Sequence, residues 1–119
     1  MKSVKRVLIK KVLIASLVVF VGIQFIPVKR NQSDKMLPAD ITQVYNVPEN
    51  IQTIFKTSCY NCHSNNTIYP WYNKVQPVAW LLQFHIDEGK SELNFSEFGS
   101  YSKRKRKSKL KAMAHQIKD

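Results

Sequence analysis

The feature that most constrains this chain is the pentapeptide Cys59-Tyr60-Asn61-Cys62-His63, which contains both cysteines of a 119-residue sequence. Two cysteines three apart cannot build a disulfide framework or a four-thiolate zinc site, so they must act as a local pair. Cys-x-x-Cys-His is the pattern of c-type haem attachment, and the spacing has a physical reason. On a helical turn both sulfurs emerge on one side, where they can form thioethers with the two vinyl groups of one haem. The adjacent imidazole can then reach the iron. The expectation is one covalent haem c on Cys59 and Cys62, with His63 as an axial iron ligand. Two other readings compete. A thioredoxin-type redox pair calls for a βαβ setting, and no strand pattern flanks Cys59. A zinc site from Cys59, Cys62, His63 and a distant histidine suffers from the adjacency of Cys62 and His63, which suits tetrahedral geometry poorly.

Charge divides the chain into three. Residues 1–30 carry a formal charge of +7, residues 31–100 of −3 and residues 101–119 of +7. A nucleic-acid-binding domain spreads its bases over the folded face, whereas here the middle is mildly acidic and the ends carry the charge.

At the N-terminus, Lys2, Lys5, Arg6, Lys10 and Lys11 precede an apolar run from Val12 to Ile26. With Val7-Leu8-Ile9 added and the two lysines snorkelling, this approaches the ~20 residues of a spanning helix. The run is followed by no small-x-small cleavage site. Residues 1–26 are therefore expected to be an uncleaved signal anchor. Five bases before the run against Lys29 and Arg30 after it put the N-terminus in the cytoplasm. The expectation is a single-pass inner-membrane protein with its C-terminal domain in the periplasm, in contact with membrane lipid. Residues 27–47, polar and interrupted by Pro27 and Pro38, read as a tether, and 48–119 as the domain.

No alternating strand pattern appears, and the chain reads as all-α, a small cytochrome c-like helical domain behind an anchor helix. Pro48-Glu49 suits a helix start, and Ile51, Ile54, Phe55 and Cys59 follow at helical spacing. A second helix is expected from Pro77 to about Asp87, with Val78, Leu81, Leu82 and His85 on one stripe, Trp80 and Phe84 beside it and Gly89 as its end. Asn94 to Gly99 reads as a loop, and Ser102 to Lys118 as a basic helix. Trp71, Trp80, Phe84, Phe55 and Ile51 are expected to shield the haem ring. The second axial position has several candidates: His85 first, then Met113 and His115 on the basic helix and Met36 on the tether.

Taken with Ser64-Asn65-Asn66-Thr67, Tyr69-Pro70-Trp71-Tyr72, Gln76-Pro77-Val78-Ala79-Trp80 and Leu93-Asn94-Phe95-Ser96-Glu97-Phe98, the pentapeptide resembles the haem-binding domain family of small membrane-anchored proteins, from about Asp40 onwards. The resemblance implies a single-haem, c-type cytochrome-like periplasmic domain and carries over Cys59, Cys62 and His63. It also implies a C-terminal truncation. Such proteins continue into a Gly-Glu-Met-Pro-like segment whose methionine looks like the natural distal ligand, and this sequence ends at Asp119. The distal position then falls to His85, another group or water.

The basic run from Lys103 to Lys111 has three readings in an exported domain: a solvated face, contact with anionic lipid, or docking to an acidic redox partner. Nucleic acid is not an expected partner. Electron transfer or redox sensing is the leading functional expectation. A peroxidase-like enzyme with an open sixth site, or a haem-free remnant with a partner-binding role, is the alternative.

Overall fold

The computed structural model describes residues 1–118 and is all-α, with no strand among them. The described residues form six α-helices, α1 (Lys2–Ile23), α2 (Ile41–Val44), α3 (Glu49–Ile54), α4 (Tyr60–His63), α5 (Val78–Glu92) and α6 (Lys103–Lys118), with a π turn between α3 and α4 and 3-10 turns between α4 and α5 and between α5 and α6.

α1 buries none of its residues, and its apolar side chains are exposed all round. No helix among the described residues is long and apolar enough to cross a membrane, which corrects the expected spanning anchor. The reason is geometric. Inside α1 the stretch free of charge runs only from Val12 to Ile23, with Ser16 within it, about 18 Å at 1.5 Å per residue, against a hydrocarbon core of ~30 Å.

Residues 27–47 are not a free tether. Asn31, Asp40 and Ile41 are buried, and Asn31 is bonded on every side. Its Nδ2 donates to the Ser64 carbonyl (2.8 Å) and to Thr67 Oγ1 (2.9 Å), and its Oδ1 accepts from Lys90 Nζ (2.7 Å). Its backbone N–H donates to the Tyr69 hydroxyl (2.6 Å), and its carbonyl accepts from the Thr67 N–H (2.9 Å). A polar segment with little periodicity reads as linker in sequence; here it is polar because its partners are buried polar groups. Asp40 caps α2 by accepting from the Thr42 N–H (2.9 Å) and hydroxyl (2.7 Å), and also receives the Tyr60 hydroxyl (3.2 Å). One carboxylate thus ties the start of α2 to the start of α4.

The main apolar cluster is small: Ile41, Leu93, Phe95 and Phe98, with Phe55, Cys59, Tyr60, Tyr101 and Met113 packed against it, and Ala79 and Ile86 of α5 are also buried. Phe95 is its centre, stacked on Phe55 (ring centroids 4.9 Å apart) and Tyr60 (5.4 Å) and meeting the edge of the His63 ring (6.4 Å). Phe95 and Phe98 lie on a 3-10 turn, Phe95–Ser100, where the sequence suggests a plain loop. Asn94 makes this turn by accepting from the Ser96 N–H (3.1 Å), the local side-chain bonding that asparagine favours. Truncating Phe95 to alanine is expected to cost about 3–5 kcal/mol, measurable as a lowered urea midpoint by circular dichroism. A cost under about 1 kcal/mol would contradict its central place.

Candidate functional site

α3 does not pass smoothly into the cysteine pair. A π turn, Phe55–Cys59, separates it from α4, the single turn Tyr60–His63. Such widened turns are frequent at functional sites, and this one delivers Cys59 and Tyr60 onto the Phe95 core. Asn61 and Ser64 fasten α4 to the loop behind it. Thr67 Oγ1 donates to the Asn61 carbonyl (2.6 Å), the Ile68 N–H to Asn61 Oδ1 (3.0 Å) and Ser64 Oγ to the Tyr60 carbonyl (2.7 Å). That loop is locked in turn to the 3-10 segment through the Asn65 N–H to Ser96 Oγ (3.0 Å) and Asn94 Nδ2 to Asn65 Oδ1 (2.9 Å).

His63 is the best-defined side chain of the site. Its Nδ1 lies 2.8 Å from the Gly89 carbonyl and 2.9 Å from the Leu93 carbonyl. Carbonyls only accept, so Nδ1 must carry the proton, and neutral His63 is left with an Nε2 lone pair. Nε2 has no hydrogen-bond partner among the described residues. This is the arrangement by which an outer carbonyl fixes the tautomer and ring orientation of a metal-binding histidine.

Both carbonyls belong to α5 and its C-cap, so α5 has to approach α4 closely. Gly89 permits it. A Cβ on Gly89 would meet the Cys62 carbonyl oxygen at 2.7 Å and the Cys62 Cβ at 3.3 Å. Gly89 was expected to end the helix, but α5 runs on to Glu92; the glycine serves packing. An isolated glycine inside a helical pattern is the sequence signal for such a contact, whereas the acceptors themselves are backbone and leave no mark in the sequence.

Cys59 and Cys62 are free thiols, both partly exposed. Burial raises the Cys59 pKa, and burial, followed by the charge and hydrogen bond of Asp40, raises that of Tyr60 strongly. Among the described residues no three His, Cys, Asp or Glu side chains gather into a metal cage, so the zinc reading finds no third and fourth ligand.

The remaining expected site residues fall in different places. His85 is exposed on α5, one turn before Gly89, and its ring meets the edge of Phe84 (5.8 Å). Phe55 belongs to the core and Ile51 is half-buried, while Trp71, Trp80 and Phe84 are exposed. Met113 packs on the same core cluster as Cys59, whereas Met36 and His115 are exposed. The residues present are of the kinds a covalently held haem needs: two partly exposed thiols three residues apart, and an imidazole whose Nε2 has no hydrogen-bond partner among the described residues.

Two outcomes follow. Gly89→Ala should push α5 off α4, costing about 1–3 kcal/mol and shifting the His63 ring resonances in an NMR spectrum; an unshifted ring would refute the close-approach argument. The thiol form should also lose stability as pH rises through about 9–10, the ordinary range of these two groups. There the unfolded chain releases the Cys59 and Tyr60 protons that the folded chain retains, and below that range both states hold them. Urea titrations at several pH values check the sign.

The profile of the haem-binding domain family matches residues 18–119. No curated protein and no solved structure gave a match. The family match begins within α1 and takes in the segment around Asn31, in keeping with its burial in the fold. The chain therefore belongs to the haem-binding domain family.

Proposed function

We propose that this protein is a single-haem, c-type electron carrier whose cofactor is bound covalently by Cys59 and Cys62 and axially by His63 Nε2. The observation that carries the reading is the pair of short contacts from His63 Nδ1 to the Gly89 and Leu93 carbonyls, next to two free thiols on the same turn. Haem supplies reversible one-electron chemistry at its iron. The protein's part is attachment, orientation and tuning. The two carbonyls draw on the Nδ1 proton, which raises the donor strength of Nε2 toward an iron that His63 would hold. Phe95, against the edge of the imidazole, keeps water from that side.

His85 would be a second residue able to hold the haem iron: it shares α5 with Gly89 and is one helical turn from the contact with Cys62. In this reading the protein is a carrier and not an enzyme. Its site is the periplasmic face of an inner membrane, with α1 sunk into lipid as far as its apolar stretch allows. The support is the uncovered apolar surface of α1, since a helix apolar on every side needs a non-aqueous surrounding. The basic α6 would meet an acidic redox partner, where complementary charge speeds encounter.

The test is to express the full chain with a c-type maturation system and denature it. Haem should stay with the polypeptide, and Cys59→Ser with Cys62→Ser should abolish this; haem released by denaturation in the unaltered chain would refute covalent attachment. The reduced protein should be low-spin and should turn high-spin and bind carbon monoxide in His85→Ala. An unchanged spectrum in that variant would remove His85 as ligand.

A further inference from the structure

The basic residues of α6 are not equivalent. Lys109 reaches Glu92 (3.4 Å), and the Lys105 ammonium sits 3.9 Å from the centre of the Tyr101 ring. Lys103, Arg106 and Lys107 have no acidic partner among the described residues, and together with Tyr45 and Leu110 they line one cavity of about 350 Å³. The four α6 residues recur at i, i+3, i+4 and i+7, one face of the helix. That volume is within the range of small-molecule sites.

Arg106 is the informative member. Along α6 the half-buried positions are Arg106, Lys109 and Met113, the side that the helix turns toward the fold. Where an apolar residue would pack, the sequence has an arginine, and its Nε–H is sealed from solvent without an acceptor. A buried donor left unmade is expensive, and more so on a charged group. An anion in the cavity would balance three like charges drawn around one space.

We propose that the cavity formed by Tyr45, Lys103, Arg106, Lys107 and Leu110 binds a phosphate group, carried either by an anionic lipid headgroup or by a soluble phosphate ester. The planar guanidinium of Arg106 matches phosphate geometry. Lys103 and Lys107 supply the charge that suits phosphate better than a single carboxylate. Tyr45 and Leu110, both partly exposed, give the carbon next to the phosphate an apolar rest. The site shares no residue with the Cys59–His63 turn, so it stands whether or not haem is bound there.

The test uses the full chain in a non-ionic detergent at fixed ionic strength, following the arginine Nε–Hε resonances by NMR. Dihexanoyl phosphatidylglycerol, dihexanoyl phosphatidylcholine and inorganic phosphate are titrated separately. The Arg106 resonance should shift saturably. Saturation by phosphatidylglycerol well below the concentration needed for inorganic phosphate would identify the lipid source, and equal saturation by inorganic phosphate the soluble one. The double variant Lys103→Gln/Lys107→Gln changes only exposed side chains, keeps the Arg106 reporter and should weaken binding roughly tenfold or more. A linear, unsaturable drift matching that seen with added chloride, or unchanged affinity in the double lysine variant, would overturn the proposal.

Discussion

The site depends on one imidazole held by two backbone carbonyls. Fixing Nδ1–H between Gly89 and Leu93 determines which nitrogen of His63 is free and where the ring plane lies. The same requirement reaches outward. It demands that α5 lie against α4, which demands a glycine opposite the Cys62 carbonyl. It also demands that Leu93 sit where the helix has just ended, and the C-cap is Leu93 itself, in extended conformation. Leu93 is at the same time a core residue packed with Ile41, Phe95 and Phe98. Core and site are therefore one structure.

Six buried apolar residues, four of them in one cluster, make a small core for a chain of this length, and much of the remaining order comes from buried polar groups. Asn31, Asp40, Ser64, Thr67, Asn94 and Ser96 are all buried and all bonded. Networks of this kind specify one arrangement when every member is satisfied and are costly when one is lost. They run around the Cys59–His63 turn: Asn31, Ser64 and Thr67 behind it, Asn94 and Ser96 beside it, Asp40 against Tyr60. A covalent group clamped to such a turn would add the staple that small domains need.

The helical character, the cysteine turn and the basic last helix were legible in the sequence because each rests on local spacing. What escaped was non-local. Asn31 looks like linker until Ser64, Thr67 and Lys90 are brought to it from 33 and more residues away. Gly89 looks like a helix stop because its real neighbour, the Cys62 carbonyl, is remote in sequence. Phe95 reads as a loop residue since a 3-10 turn has no apolar period of its own. The expected spanning helix failed for a local reason: Lys10 and Lys11 fall inside α1 and leave too short an apolar stretch above them. Arg106 could not be told from its basic neighbours by sequence, since only packing distinguishes a half-buried arginine from solvated lysines.

The claim that the fold leaves the His63 Nε2 lone pair free is tested most directly by a long-range proton–nitrogen NMR spectrum of the folded chain with uncombined thiols, at about pH 8, where a free imidazole is neutral. The account predicts a protonated Nδ1 with a slowly exchanging hydrogen-bonded proton, and an unprotonated Nε2. A His63 ring protonated at Nε2, or one averaging between the two tautomers, would contradict it.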